Sequence, residues 1–133
     1  MSKGLSIAFK AAFYLYLAAI AVLCFGNFHG LPSVSSRLLG IPTDKVVHFC
    51  MFFPFPILAF LAYDKLTDTR KSVMIFALVT FVTGCLIAAG TELGQAYLTE
   101  YRSGDPADFL ADFLALLLST LLAAWMDLRK ISS

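Results

Sequence analysis

Residues 73–96, with the sequence VMIFALVTFVTGCLIAAGTELGQA, contain a single charged side chain, Glu92. A helix that crosses a bilayer needs about 20 predominantly apolar residues, and this stretch is longer than that. Further apolar stretches occupy residues 11–25, 46–63 and 109–126, and none shows the period of two that a membrane β-strand requires. The sequence therefore predicts an all-α integral membrane bundle of four transmembrane helices. We place them at about 7–25, 46–63, 73–98 and 108–127, in one domain covering residues 1–133.

The composition of the whole chain supports a membrane protein. Of its 133 residues 59% are hydrophobic and 14% are charged, and the mean hydropathy is +0.81. An average soluble domain has about 25% charged residues. The formal net charge of +1 offers no broad basic surface, so binding to nucleic acid is disfavoured.

The distribution of lysine and arginine predicts the orientation of the helices. Cytoplasmic loops of membrane proteins carry the excess of these residues. The two termini and the loop between the second and third helices hold Lys3, Lys10, Lys65, Arg70, Lys71, Arg129 and Lys130, whereas the other side holds Arg37, Lys45 and Arg102. Both termini are therefore expected in the cytoplasm. Charges at the inner helix ends, such as Asp64 and Asp127, are expected to be solvated anchors.

A second group of polar residues lies toward the predicted outer ends of three helices. Its members repeat at spacings of three or four, which places them on one face of each helix. An ionisable side chain within the membrane costs about 2.5–3.5 kcal/mol on insertion scales. We therefore expect these faces to turn toward one another and form a polar pocket near the outer leaflet. The group comprises Asp44, Lys45, His48, Glu92, Gln95, Arg102, Asp105, Asp108 and Asp112.

These residue types suit proton transfer and the binding of a polar ligand. Histidine exchanges a proton near neutral pH, and a carboxylate can act as a base, so the catalytic candidates are His48, Glu92, Asp108 and Asp112. The same four could instead hold a divalent cation such as zinc or manganese. Arginine binds phosphate or carboxylate through two parallel hydrogen bonds, and the substrate-binding candidates are Arg102, Lys45, Gln95, Asp44 and Asp105. Without a G-x-S-x-G or H-E-x-x-H motif, the sequence does not decide whether the chain is an enzyme.

Prolines and glycines interrupt the regular helix pattern in two stretches. Pro54 and Pro56 fall inside the second helix, where they predict a kink and free carbonyl groups. Gly90 and Gly94 form a G-x-x-x-G pair preceded by Gly84, a pattern that favours close packing between helices.

The order of the polar motifs resembles the VanZ-like family of small bacterial membrane proteins. That family follows roughly the patterns D-K-x-x-H-F-x-x-Y, E-x-x-Q and R-x-x-D-x-x-D-x-x-x-N. The corresponding segments here are 44–49 (DKVVHF), 92–95 (ELGQ) and 102–112 (RSGDPADFLAD), and the resemblance extends from about residue 44 to 124. This chain has Phe52 where tyrosine is common, Asp112 where asparagine is usual, and Ala115 or Leu116 where glycine is common.

The resemblance implies a multi-pass protein of the bacterial inner membrane that is associated with low-level resistance to the glycopeptide teicoplanin. The expected partners are membrane lipids and a lipid-linked envelope precursor or an acylated glycopeptide, bound through the His/Glu/Arg/Asp pocket. Whether the ligand is also modified stays open. Asp112 adds a carboxylate where the family has an amide, so the role of that asparagine does not transfer unchanged.

A non-catalytic scaffold or accessory subunit would use the same residue types. In that interpretation the buried polar residues only lock the packing of the helices. Proton-coupled transport is disfavoured, because no chain of ionisable groups continues from His48 and Asp112 toward the inner side.

Overall fold

The computed structural model describes the backbone of residues 3–25, 37–38, 41–98 and 106–132, and the side chains of these residues except 24–25, 37–38, 41–45, 95–96, 98, 106 and 132. These described residues form five α-helices: α1 (Lys3–Phe25), α2 (Thr43–Phe52), α3 (Pro54–Ala62), α4 (Arg70–Leu98) and α5 (Pro106–Ser132). A 3₁₀ turn covers Asp64–Leu66, and the two-residue strands β1 (Arg37–Leu38) and β2 (Ile41–Pro42) pair antiparallel before α2.

The described helices have the membrane character that the composition predicts. Three stretches, Lys3–Leu23, Arg70–Gly94 and Ala107–Ile131, are long and apolar enough to cross a bilayer, and Val46–Ala62 is a shorter apolar stretch. Large apolar side chains such as Leu15, Leu78 and Leu86 point outward. The prediction of a helical fold is confirmed, and such an outer surface, which would be unfavourable in water, is compatible with a membrane bundle.

The second predicted helix is divided at Phe53, where α2 ends and α3 begins with Pro54. Proline lacks the N–H that would bond to the carbonyl four residues before it, so the regular helical hydrogen bonds are interrupted here. The hydroxyl of Tyr16 in α1 donates to the carbonyl of Met51, and the hydroxyl of Ser119 in α5 donates to the carbonyl of Phe53. The kink predicted from the prolines is thus observed as a break between two helices, and hydrogen bonds connect this break to both α1 and α5.

Helix α5 organises the core, because it packs against α2, α3 and α4. One apolar cluster is formed by side chains that include Phe52, Phe55, Ala88 and Leu116, and a second one by Phe60, Val73, Ala123 and Ala124. Helix α1 packs mainly against α3. In this arrangement the first part of α5 faces both α2 and the last part of α4.

Close packing between α4 and α5 depends on Gly84. A Cβ atom at Gly84 would lie 2.7 Å from Cδ2 of Leu116 and 3.2 Å from Cε1 of Phe55, whereas a Cβ atom at Gly90 would meet no atom of the described residues within 4 Å. Gly90 is exposed, and Gly94 is buried. Among the described residues no helix packs against Gly90, because this glycine lies on the outward face of α4, so the packing role predicted for the G-x-x-x-G pair is not observed at Gly90.

We expect Gly84→Ala to lower the thermal unfolding midpoint in detergent, since overpacking a filled core costs about 1–3 kcal/mol. Gly90→Ala is the matched control. It should leave the midpoint unchanged or raise it slightly, because alanine is the better helix former by up to about 1 kcal/mol. Circular dichroism melts of the two variants in one detergent test this, and equal midpoints would contradict the assignment.

Candidate functional site

Four ionisable side chains from three helices meet inside the bundle. His48 of α2 lies with Nδ1 at 3.1 Å from Oδ1 of Asp112 and at 3.7 Å from Oε1 of Glu92. Its Nε2 lies 3.5 Å from Oδ2 of Asp108. Asp108 and Asp112 belong to α5, and Glu92 belongs to α4. We call these four residues the polar cluster.

Each member of the polar cluster is buried. Asp112 has no exposed surface at all, and His48, Glu92 and Asp108 are between 7% and 8% exposed. A buried ionised group is tolerated only when it is paired, hydrogen-bonded or bound to a metal. The contacts within the cluster therefore offset part of the cost of burying these groups, whatever else the cluster does.

The buried stripe of α5 explains how the two aspartates reach the cluster. Buried positions recur along this helix at spacings of three or four, which is the period of one helix face. The stripe runs through Asp108, Asp112, Leu116, Ser119, Ala123 and Asp127. Its middle packs into the apolar core, so its first two positions are directed at α2 and α4.

The polar cluster lies near one end of the bundle. His48 is five residues from the start of α2, Asp112 is six residues from the start of α5, and Glu92 is six residues from the end of α4. With a rise of about 1.5 Å per residue, these positions are about 8–9 Å from their helix ends. The cluster is thus at a similar distance from the helix end on all three helices.

The imidazole of His48 uses both ring nitrogens. With Asp112 ionised, Nδ1–H donates to Oδ1 of Asp112, while Nε2 faces Asp108. The other oxygen of the same Asp112 carboxylate, Oδ2, is buried without a hydrogen-bond partner among the residues that the structure describes. Leaving a buried acceptor unsatisfied costs about 1–3 kcal/mol, and more when it is charged. The protein groups described here therefore do not fully satisfy the cluster.

The remaining site residues predicted from the sequence cannot be placed in the same way. Asp44 and Lys45 lie in the first turn of α2, and Gln95 lies near the end of α4, but the side chains of all three are outside the described ones. Arg102 and Asp105 fall in 99–105, outside the described residues. The binding roles of these five residues stay predictions.

One buried carboxylate at the opposite end of the bundle was missed by the sequence interpretation. Asp127 is buried rather than solvated, and it pairs with Lys130 at 3.8 Å. Together with Asp64 and Asp68 it lines a groove at that end. The signal was present in the sequence, because Asp127 continues the helical spacing of the α5 stripe that begins with Asp108 and Asp112.

The chemistry open to the polar cluster follows from its composition. Three carboxylates and one imidazole can accept hydrogen bonds from hydroxyl or ammonium groups, transfer a proton, or coordinate a cation. The VanZ-like resemblance rests on the sequence motifs alone. No family model, no curated protein and no solved structure matches this chain.

Proposed function

We propose that the chain is a VanZ-like protein of the cell envelope, and that its polar cluster binds a lipid-linked or acylated envelope molecule. One observation carries the proposal: four buried ionisable side chains from three helices converge within 3.1–3.7 Å near the end of a bundle with an apolar outer surface. An intramembrane ionisable group is by default a candidate functional site. A ligand with a polar head and acyl chains would match both the polar cluster and the apolar outer surface.

The proposed topology has four membrane crossings, with α2 and α3 together forming the shorter one. It places both termini in the cytoplasm and the polar cluster near the outer leaflet of the bacterial inner membrane. Support comes from the charges at the opposite end of the bundle, where Lys65, Arg70, Lys71, Arg129 and Lys130 lie near the ends of helices. Basic residues concentrate on the cytoplasmic side, so the cluster belongs to the other side.

The donors and acceptors of the site indicate the head group. The carboxylates of the polar cluster accept hydrogen bonds from sugar hydroxyls or from an ammonium group. Arg102 lies in the sequence between Glu92 and Asp108, and its guanidinium is the proposed partner for a phosphate or carboxylate of the same ligand. If the ligand is also modified, His48 is the group that transfers the proton, because carboxylates contact both of its ring nitrogens.

A second candidate is a non-catalytic scaffold in which the polar cluster only joins helices. The observation that favours it is the hydrogen bond of 3.1 Å between His48 and Asp112, which links α2 directly to α5. A buried pair of this kind holds two helices in one register. The two candidates differ in what happens when a carboxylate is neutralised without a change of shape.

We expect Glu92→Gln and Arg102→Ala to weaken ligand binding at least about tenfold, because removing one charged hydrogen-bond partner costs about 1.5–3 kcal/mol. The measurement is native mass spectrometry of protein released from its own membrane, in which a lipid adduct on the wild type is compared with the variants. Teicoplanin sensitivity of cells that express each form is the second readout. Asp68→Asn, an exposed position at the opposite end, is the matched control and should retain the adduct.

The same variants separate the two candidates. A scaffold predicts that Glu92→Gln lowers the thermal unfolding midpoint while adduct and teicoplanin sensitivity stay as in the wild type. If both variants are folded and inserted, and neither readout changes, the proposed binding function is wrong.

A further inference from the structure

We infer that the polar cluster is a metal site, in which His48, Glu92 and Asp108 bind one divalent cation, Zn²⁺ or Mn²⁺, and Asp112 orients the imidazole. One ligand atom from each of the three residues lies within 4.8 Å of the other two. In a four-coordinate zinc site with bonds of about 2.0–2.1 Å, neighbouring ligand atoms are about 3.3 Å apart. The 3.5 Å between Nε2 of His48 and Oδ2 of Asp108 is close to that spacing. Oε1 of Glu92 lies 3.7 Å from Nδ1, so the Glu92 side chain has to move toward Nε2 to complete the set around a cation.

The two ring nitrogens of His48 have separate tasks in this site. Nδ1 is occupied by Asp112 at 3.1 Å, which leaves Nε2 for the cation on the side of Asp108. Histidines that bind metals usually donate the other N–H to a carboxylate, and this hydrogen bond sets the tautomer and the orientation of the ring. Asp112 is completely buried, so the orientation it imposes is well defined.

A second observation points to a group beyond the described protein atoms. Oδ2 of Asp112 is buried and lacks a hydrogen-bond partner among the described residues, although Oδ1 of the same carboxylate is engaged by His48. A water molecule or an ion would account for a buried polar atom of this kind. A water molecule coordinated to the cation would supply the missing donor.

The donor atoms select the class of cation. One imidazole nitrogen and carboxylate oxygens are ligands of borderline to hard character. Such ligands suit Zn²⁺ or Mn²⁺ and disfavour cations that require thiolates. Three protein ligands also leave a coordination position for another group. That position would take a phosphate or carboxylate oxygen of the envelope molecule. This last step rests on the proposed function, but the binding of the cation does not rest on it.

The test is calorimetric titration of the untagged full-length chain in detergent with ZnCl₂ and, separately, with MnCl₂ after removal of metals by a chelator. We expect one cation per chain for at least one of the two metals. Asp108→Asn should lower the affinity by more than about 100-fold, since it removes a direct ligand, and Glu92→Gln should act in the same direction. Asp112→Asn should lower the affinity by about 10–100-fold, the range for groups that orient a ligand.

The control is Asp127→Asn, which makes the same change in the same helix at the opposite end of the bundle, and it should bind as the wild type does. If the wild type binds neither cation, or if Asp108→Asn and Asp127→Asn bind with equal affinity, the inference is overturned. The wild-type result does not depend on whether any variant folds. The titration contains no envelope molecule. A negative result would therefore rule out the metal site without deciding the proposed lipid-binding function, which has its own test.

Discussion

Replacing His48 with leucine is expected to lower the free energy of unfolding by about 3–5 kcal/mol, the range for removing one partner from a buried ionic contact. The imidazole lies within 3.1–3.7 Å of oxygens from Asp112, Glu92 and Asp108. Without it, three carboxylates on two helices face one another in a buried space and lose the group that they share. The measurement is unfolding by a denaturing detergent, followed by circular dichroism.

A double-mutant cycle separates this electrostatic effect from a simple loss of packing. His48→Leu combined with Asp112→Leu removes both partners of the 3.1 Å contact, and replacing both members of a buried pair with apolar groups is often neutral or favourable. The double variant should therefore be more stable than the sum of the two single effects, by about 0.5–3 kcal/mol. Strict additivity, or a His48→Leu protein as stable as the wild type, would show that the cluster does not act as a unit.

Replacing Leu116 with alanine is expected to have the second large effect, a loss of about 2–3 kcal/mol. Leu116 is completely buried, and its side chain fills the space next to Gly84 and Phe55. Truncation leaves a cavity at the contact between α4 and α5. This expected loss lies in the lower part of the range measured for Leu→Ala substitutions in soluble proteins. Lipid is as apolar as leucine, so the substitution in a membrane protein removes only the packing contribution.

The matched control for this variant is Leu118→Ala, which makes the same truncation in the same helix. Leu118 is 52% exposed on the outer surface, so its loss should change the free energy of unfolding by less than about 0.5 kcal/mol. Both variants are measured by the same unfolding titration. Equal effects at the two positions would mean that the described packing of α5 is wrong.

The residues of the polar cluster could be selected from the sequence because their cost in the membrane is a property of each residue alone. His48, Glu92, Asp108 and Asp112 stand out in apolar stretches, and their helical spacing indicates a shared face. The structure brings these four together. What the spacing could not indicate is that one imidazole contacts carboxylates on two different helices, since such contacts depend on how the helices are rotated and how far apart they pack.

The two glycines of α4 illustrate the same difference. Gly84 and Gly90 cannot be distinguished in the sequence, because both are glycines in an apolar helix. In the structure Gly84 lies against Leu116, and Gly90 faces outward. Small-residue patterns indicate that a close approach is allowed, but the partner helix determines which glycine is used. Asp127 is a related case, because its position near a helix end suggested solvation, and its place on the packed stripe of α5 buries it.

Hydropathy, charge and proline position are local properties, and they were sufficient to predict a helical chain, its long apolar helices and an irregularity at the prolines, where the structure has a break at Phe53. Each of these features follows from the free energy of transferring short segments into an apolar phase or from the missing N–H of proline. The contacts of His48, the use of Gly84 and the burial of Asp127 required the folded chain. They arise from packing between helices that are distant in sequence, where a rotation of one helix exchanges a buried position for an exposed one.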